Sequence, residues 1–113
     1  MRNLKLKIFS LLLFTMTYSF AAVADEYTVG QKDKTFIQNG SKVEKLTIKT
    51  GDTVHFQNQD PWFHNVFSLS ELKTFDLGSY PKGQSKAVTF DKAGTVEVEC
   101  AIHPQMYMVV EVK

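Results

Sequence analysis

From residue 26 onward the chain alternates apolar and polar positions in short runs. The runs are "EYTV" at 26, "TFIQ" at 35, "KLTIK" at 45, "TVHFQ" at 53, "NVFS" at 65, "KAVTF" at 86, "TVEVEC" at 95 and "YMVVEVK" at 107. Val96, Val98 and Cys100 share one face against Glu97 and Glu99. Met108, Val110 and Val112 align in the same way against Glu111 and Lys113. A period of two is that of a half-buried strand. Turn signals part the runs: Asn39-Gly40, Gly51-Asp52, Asp60-Pro61, Pro81-Lys82-Gly83 and Ala93-Gly94. Many short strands at regular spacing predict an all-β antiparallel sandwich. Residues 69–84 break the pattern and read as irregular loop. "SLSE" at 68 is a weak capping box that allows one helical turn there. Asn39-Gly40-Ser41 matches a glycosylation sequon, but Asn-Gly reads first as a tight hairpin turn.

The first 24 residues carry a different pattern. Arg2, Lys5 and Lys7 precede a mostly apolar run from Ile8 to Phe20, and Ala22-Val23-Ala24 supplies a small-x-small site. This is the three-part form of an export signal cleaved after Ala24. As a membrane anchor the run is short of the roughly 20 residues a spanning helix needs, and Thr15, Thr17 and Ser19 dilute it. The expected division is a signal peptide over 1–24 and one domain over 25–113, periplasmic and without a membrane anchor once processed.

Processing changes the charge. The whole chain has 13 basic and 12 acidic residues, and the signal removes three basic ones. The slightly acidic remainder has no basic tract for nucleic acid and no basic amphipathic helix for a membrane surface.

Export also gives meaning to Cys100, the one cysteine in the sequence. It cannot form an internal disulfide. It is either a buried apolar side chain or a metal-bound thiolate, and its neighbours bear on the choice. "CAIHPQM", residues 100–106, places Cys100, His103 and Met106 on one short loop between two strands. "DPWFHNVFS" at 60 offers His64 as a second nitrogen. Two imidazoles, a thiolate and a weak thioether form a trigonal site with a long axial bond, which favours copper and electron transfer. Zinc accepts the first three but seldom methionine. Met108 shares the phase of Val110 and Val112 and reads as core. His55 alternates with Val54 and Phe56 and points outward.

These residues carry a resemblance. "GDTVHFQNQDPWFHNVFS" followed by "CAIHPQM" resembles the type 1 blue copper proteins, the cupredoxins, and within them the amicyanin and plastocyanin-like members, including periplasmic methylamine-utilisation proteins. The likeness runs from about Val43 to Lys113. His64-Asn65-Val66 matches the family's H-N-V, and Cys100, His103 and Met106 match its C-x-x-H-x-x-M. The resemblance implies a cupredoxin-like Greek-key β-sandwich and one copper ion, Cu(I) or Cu(II), held by His64, Cys100, His103 and Met106. It also implies that the residue after the first histidine gives its N–H to the cysteine sulfur and that the Asn65 side chain ties the two ligand loops together. His103 would present an exposed edge bordered by Pro61, Pro104 and Gln105, where a transient redox protein docks. The expected state is a monomer. Glu99 belongs to the solvated face. Trp62 and Phe63 either form an apolar docking patch or pack into the end of the sandwich, with packing the plainer reading.

The favoured function is a one-electron carrier between redox partners, not an enzyme. The alternative is a copper-binding or copper-delivery protein. A copper enzyme is disfavoured, since four ligands leave no open position for a substrate.

Overall fold

The computed structural model describes residues 11–18 and 23–113. Residues 11–18 are exposed and carry no regular structure. The basic residues of the signal, both ends of its apolar run and Ala22 of its cleavage site lie outside the described residues.

The domain is all β. Its strands are β1 (Glu26–Lys32), β2 (Thr35–Gln38), β3 (Ser41–Lys42), β4 (Lys45–Ile48), β5 (Asp52–Asn58), β6 (His64–Ser68), β7 (Phe75–Tyr80), β8 (Ser85–Phe90), β9 (Gly94–Cys100) and β10 (Tyr107–Val112). They form two five-stranded sheets, β3-β2-β1-β5-β8 and β4-β10-β9-β6-β7. Two neighbouring pairs, β1 with β5 and β4 with β10, are parallel, so the sandwich is not purely antiparallel. A hairpin makes an antiparallel neighbour, whereas a parallel one requires a crossover. The chain crosses between the sheets to build both pairs.

Alternation in sequence becomes alternation in burial. On β5, Val54 and Phe56 are buried while His55 and Gln57 are partly exposed. On β10, Met108, Val110 and Val112 enter the core. The core joins Val29, Phe36, Val54, Phe56, Val88 and Phe90 of one sheet to Leu46, Ile48, Val66, Val96, Val98 and Val110 of the other. Phe36 meets Phe56 edge-on at 6.3 Å between centroids, a favoured aromatic geometry. The Asn39-Gly40 turn closes β2 onto β3 with φ of 53° and 78°, as a type I′ hairpin demands.

Residues 69–84 differ from expectation. They contain β7, and the only turn formed at Ser70–Lys73 is a single one, with Lys73 N–H donating to the Ser70 carbonyl at 3.2 Å. The Ser68 hydroxyl accepts the Ser70 amide at 3.2 Å, a contact of the capping type, but the turn does not extend into a helix. β7 lies at a sheet edge and pairs with β6 through a register shift between Asn65 and Phe67. Gly78 takes a φ of 68° within it, and the Asp76 carboxylate accepts the Gly78 amide at 2.8 Å. A bulged edge strand has no clean period of two to read.

Candidate metal centre

Two adjacent strands of one sheet deliver the donors. β6 opens on His64, and Val66 pairs with Cys100 at the end of β9. Ala101 N–H then donates to the Asn65 carbonyl at 3.1 Å, so the chain leaves β9 beside His64. The loop turns back with Met106 N–H donating to the His103 carbonyl at 2.9 Å. That turn returns His103 toward the sandwich and starts β10. Met106 is buried at its base, and Met108 lies two residues further into the core opposite Val98.

The geometry is compact. Cys100 Sγ lies 3.7 Å from Nδ1 of His64 and 3.7 Å from Nδ1 of His103, and the two nitrogens are 3.2 Å apart. A point equidistant from these three atoms lies about 2 Å from each, the length of a metal–imidazole bond and slightly less than a metal–thiolate one. Two ring nitrogens and a sulfur converging this closely can share a positive centre between them. The donor set therefore fits a metal ion, and its thiolate–imidazole composition fits copper. His64 and Cys100 are buried while His103 is half-buried.

The charged surroundings orient one imidazole and hold down the titration of the other. His64 Nε2 lies 2.6 Å from the Asp60 carboxylate. A carboxylate only accepts, so Nε2 carries a proton and Nδ1 is turned toward Cys100 and His103. Burial alone would push the Asp60 carboxyl up, but the His64 ring and the Asp33 and Lys34 amides outweigh it and hold it below the usual range. His103 is held below the ordinary imidazole value by burial first, then by His64 and Lys34, with Asp60 opposing. The lowered His103 value favours the neutral ring that a metal needs.

Some expected contacts are built differently. Asn65 Oδ1 is buried without a hydrogen-bond partner, and the backbone bond from the Ala101 amide to the Asn65 carbonyl joins the two donor segments. Trp62 and Phe63 do not pack into the end of the sandwich; they are 39% and 55% exposed. Asn58 Nδ2 holds the Trp62 carbonyl at 2.8 Å, which fixes the backbone while the rings face outward. The Lys34 ammonium sits over the Trp62 ring, 5.5 Å from its centroid. Ile102 is also exposed, and so are Pro61, Pro104 and Gln105. Glu99 is partly exposed, and His55 lies in the other sheet beside Glu26 at 3.2 Å.

Two supporting residues escape a reading of sequence alone. Asp60 reads as half of an Asp-Pro turn, yet it is buried against His64. Its position four residues before a candidate ligand is the signal that could have found it, since ligand histidines commonly donate their other N–H to a carboxylate. Asn58, also buried, donates to the Trp62 and Tyr80 carbonyls and accepts the Asp60 amide at 2.9 Å. It organises the loop that carries Asp60 to His64.

A two-sheet sandwich with His, Cys and His converging at one end defines a metal-binding cupredoxin-like domain. Comparison with known proteins agrees. Residues 23–113 match the family described as copper binding proteins, plastocyanin/azurin family. The chain belongs to that family, and its cofactor is copper. It is 30% identical over 99 residues to methylamine utilization protein MauL of Methylorubrum extorquens, covering 86% of this chain and 82% of the relative. Among solved structures it is similar to the Cu(I) form of a methionine-to-alanine variant of amicyanin. The TM-score there is 0.69 at 28% identity, covering 81% of this chain and 87% of that one. A proline-to-glycine amicyanin variant in its reduced Cu(I) form gives a TM-score of 0.68 at 28% identity, with the same coverages.

Proposed function

We propose that His64, Cys100, His103 and Met106 would hold one copper ion, with Met106 as the weak donor, and that the chain is a periplasmic one-electron carrier rather than an enzyme. The donor triangle is the observation that carries this reading. Bound copper supplies a one-electron couple between Cu(I) and Cu(II). The protein holds the donors so that little needs to move between the two states. His64 and Cys100 are fixed by paired strands of one sheet, and Asp60 sets the His64 ring. The sandwich excludes water from the sulfur, which is 2% exposed as a residue.

His103 is the half-buried donor and faces the end of the sandwich where Trp62, Phe63 and Ile102 are exposed. A small apolar rim around a polar exit suits a short-lived contact with another redox protein, in which little area is buried. The signal reading of residues 1–24 supports export, and the first strand begins at Glu26, just past the expected cleavage point.

Voltammetry of the copper-loaded chain from Asp25 tests the carrier role. The expected result is a reversible wave of one electron per chain, with self-exchange fast enough to measure by NMR line broadening. Copper that leaves on reduction, with no reversible wave, would instead identify a delivery protein.

A further inference from the structure

Asp60 is an anion buried where an anion is costly. Its side chain is 3% exposed and that of His64 is 0% exposed, with 2.6 Å between carboxylate oxygen and Nε2. Charges withdrawn from water to this degree need full hydrogen bonding, and Asp60 has it. Oδ1 accepts the Asp33 amide at 2.7 Å, and Oδ2 accepts the Lys34 amide at 3.2 Å. The Asp60 amide is itself held by Asn58 Oδ1 at 2.9 Å. Among the described residues no lysine comes within ion-pair distance of this carboxylate. The Lys34 ammonium lies instead over the Trp62 ring.

The β1–β2 turn that provides two of these bonds is itself unusual. Its two loop residues, Asp33 and Lys34, have φ of 52° and 55°. A two-residue hairpin of this kind needs positive φ at both positions and normally uses Asn-Gly. Lysine takes that conformation at a cost. The two amides it aims at Asp60 offset the cost, so turn and carboxylate hold each other in place.

Resting on the copper site proposed above, we infer that Asp60 is the positioning residue of that site: it fixes His64 as the Nε2–H tautomer and lowers the copper reduction potential. The β1–β2 turn holds it to that role. In the neutral ring that a metal requires, the tautomer follows from acceptor-only chemistry at 2.6 Å. The sign of the potential follows from charge. Oxidation adds one positive charge to the site, and a desolvated anion hydrogen-bonded to a ligand stabilises the more positive state. Such partners also make the ligand a stronger donor.

The test compares the unaltered chain with Asp60→Asn. That substitution keeps size and removes the charge. In the metal-free protein at neutral pH, nitrogen-15 NMR of labelled histidine should report His64 as the Nε2–H tautomer, and Asp60→Asn should weaken that preference. With copper bound, Asp60→Asn should keep its thiolate-to-copper absorption. Its Cu(II) affinity should fall about tenfold relative to Cu(I), within the range seen for such partners, which is a rise of about 59 mV in potential. An Asp60→Asn protein with lowered stability but an unmoved potential would make Asp60 merely structural and overturn the inference. If that variant does not fold, the unaltered protein decides: His64 as the Nδ1–H tautomer also overturns it. A copper-loaded protein without the absorption would overturn the copper reading instead, while the metal-free tautomer would still report on Asp60.

Discussion

Nδ1 of His64 and Nδ1 of His103 face each other across 3.2 Å, although the residues are 39 positions apart. The register of β6 against β9 brings them there. Val66 opposite Cys100 puts His64 beside the strand end from which the His103 loop departs. A slip of one residue would turn Cys100 to the other face of the sheet. The core that fixes this register therefore also fixes the donor triangle.

The two methionines of the last segment should separate by role. Met106→Leu should retain copper and raise the reduction potential, because a weak donor to Cu(II) is lost. Met108→Leu should leave the potential within error and cost less than about 1.5 kcal/mol, as a volume-conserving core swap. Voltammetry and thermal unfolding of both variants check this, and the reverse pattern would assign the axial role to Met108.

Tyr80 links the two sheets beneath the metal end. Its hydroxyl donates to the Phe56 carbonyl at 3.0 Å and accepts from Gln31 Nε2 at 2.8 Å. Burial drives its phenol up to about 12, so it stays protonated throughout the working range. Tyr80→Phe removes the hydroxyl that the buried Gln31 amide donates to and the bond to the Phe56 carbonyl. It should cost about 1–3 kcal/mol in denaturant unfolding without altering the copper spectrum.

Asp52 sets an acid limit on stability. Its carboxyl is held below the usual range by the Asp25 amide first and the Lys49 amide second, against burial. A carboxylate with a lowered folded pKa contributes stability above its ordinary value of 3.8 and loses it as pH falls through the folded value. Asp52→Asn should therefore be less stable than the unaltered chain at neutral pH, with the gap closing as pH drops below about 4. In a chain cleaved after Ala24 the nitrogen on Asp52 Oδ1, 2.8 Å away, is a charged ammonium, and the gap should be wider than in a chain with one extra residue before Asp25. An equal gap at every pH would contradict this role.

The parts of the fold legible in the sequence were those with one buried face and one wet one. β5, β9 and β10 keep strict alternation, and Asn39-Gly40 announced its hairpin by residue type. β7 stayed hidden because its bulge and Gly78 erase the period. The parallel pairs stayed hidden because alternation carries no direction. His64, Cys100, His103 and Met106 stood out as rare side chains at meaningful spacing. Asp60 and Asn58 did not, since polar residues at or just before an Asp-Pro turn look solvated until their burial is seen. Trp62 and Phe63 look like core by composition, yet the Asn58 side-chain amide holds the Trp62 carbonyl and both rings stay exposed.

The visible spectrum of the mature chain loaded with Cu(II), alongside Cys100→Ser, tests the copper centre most directly. The account predicts an intense thiolate-to-copper absorption at one copper per chain, abolished by Cys100→Ser. An unaltered protein without that absorption, or a Cys100→Ser protein with an identical spectrum, would contradict it.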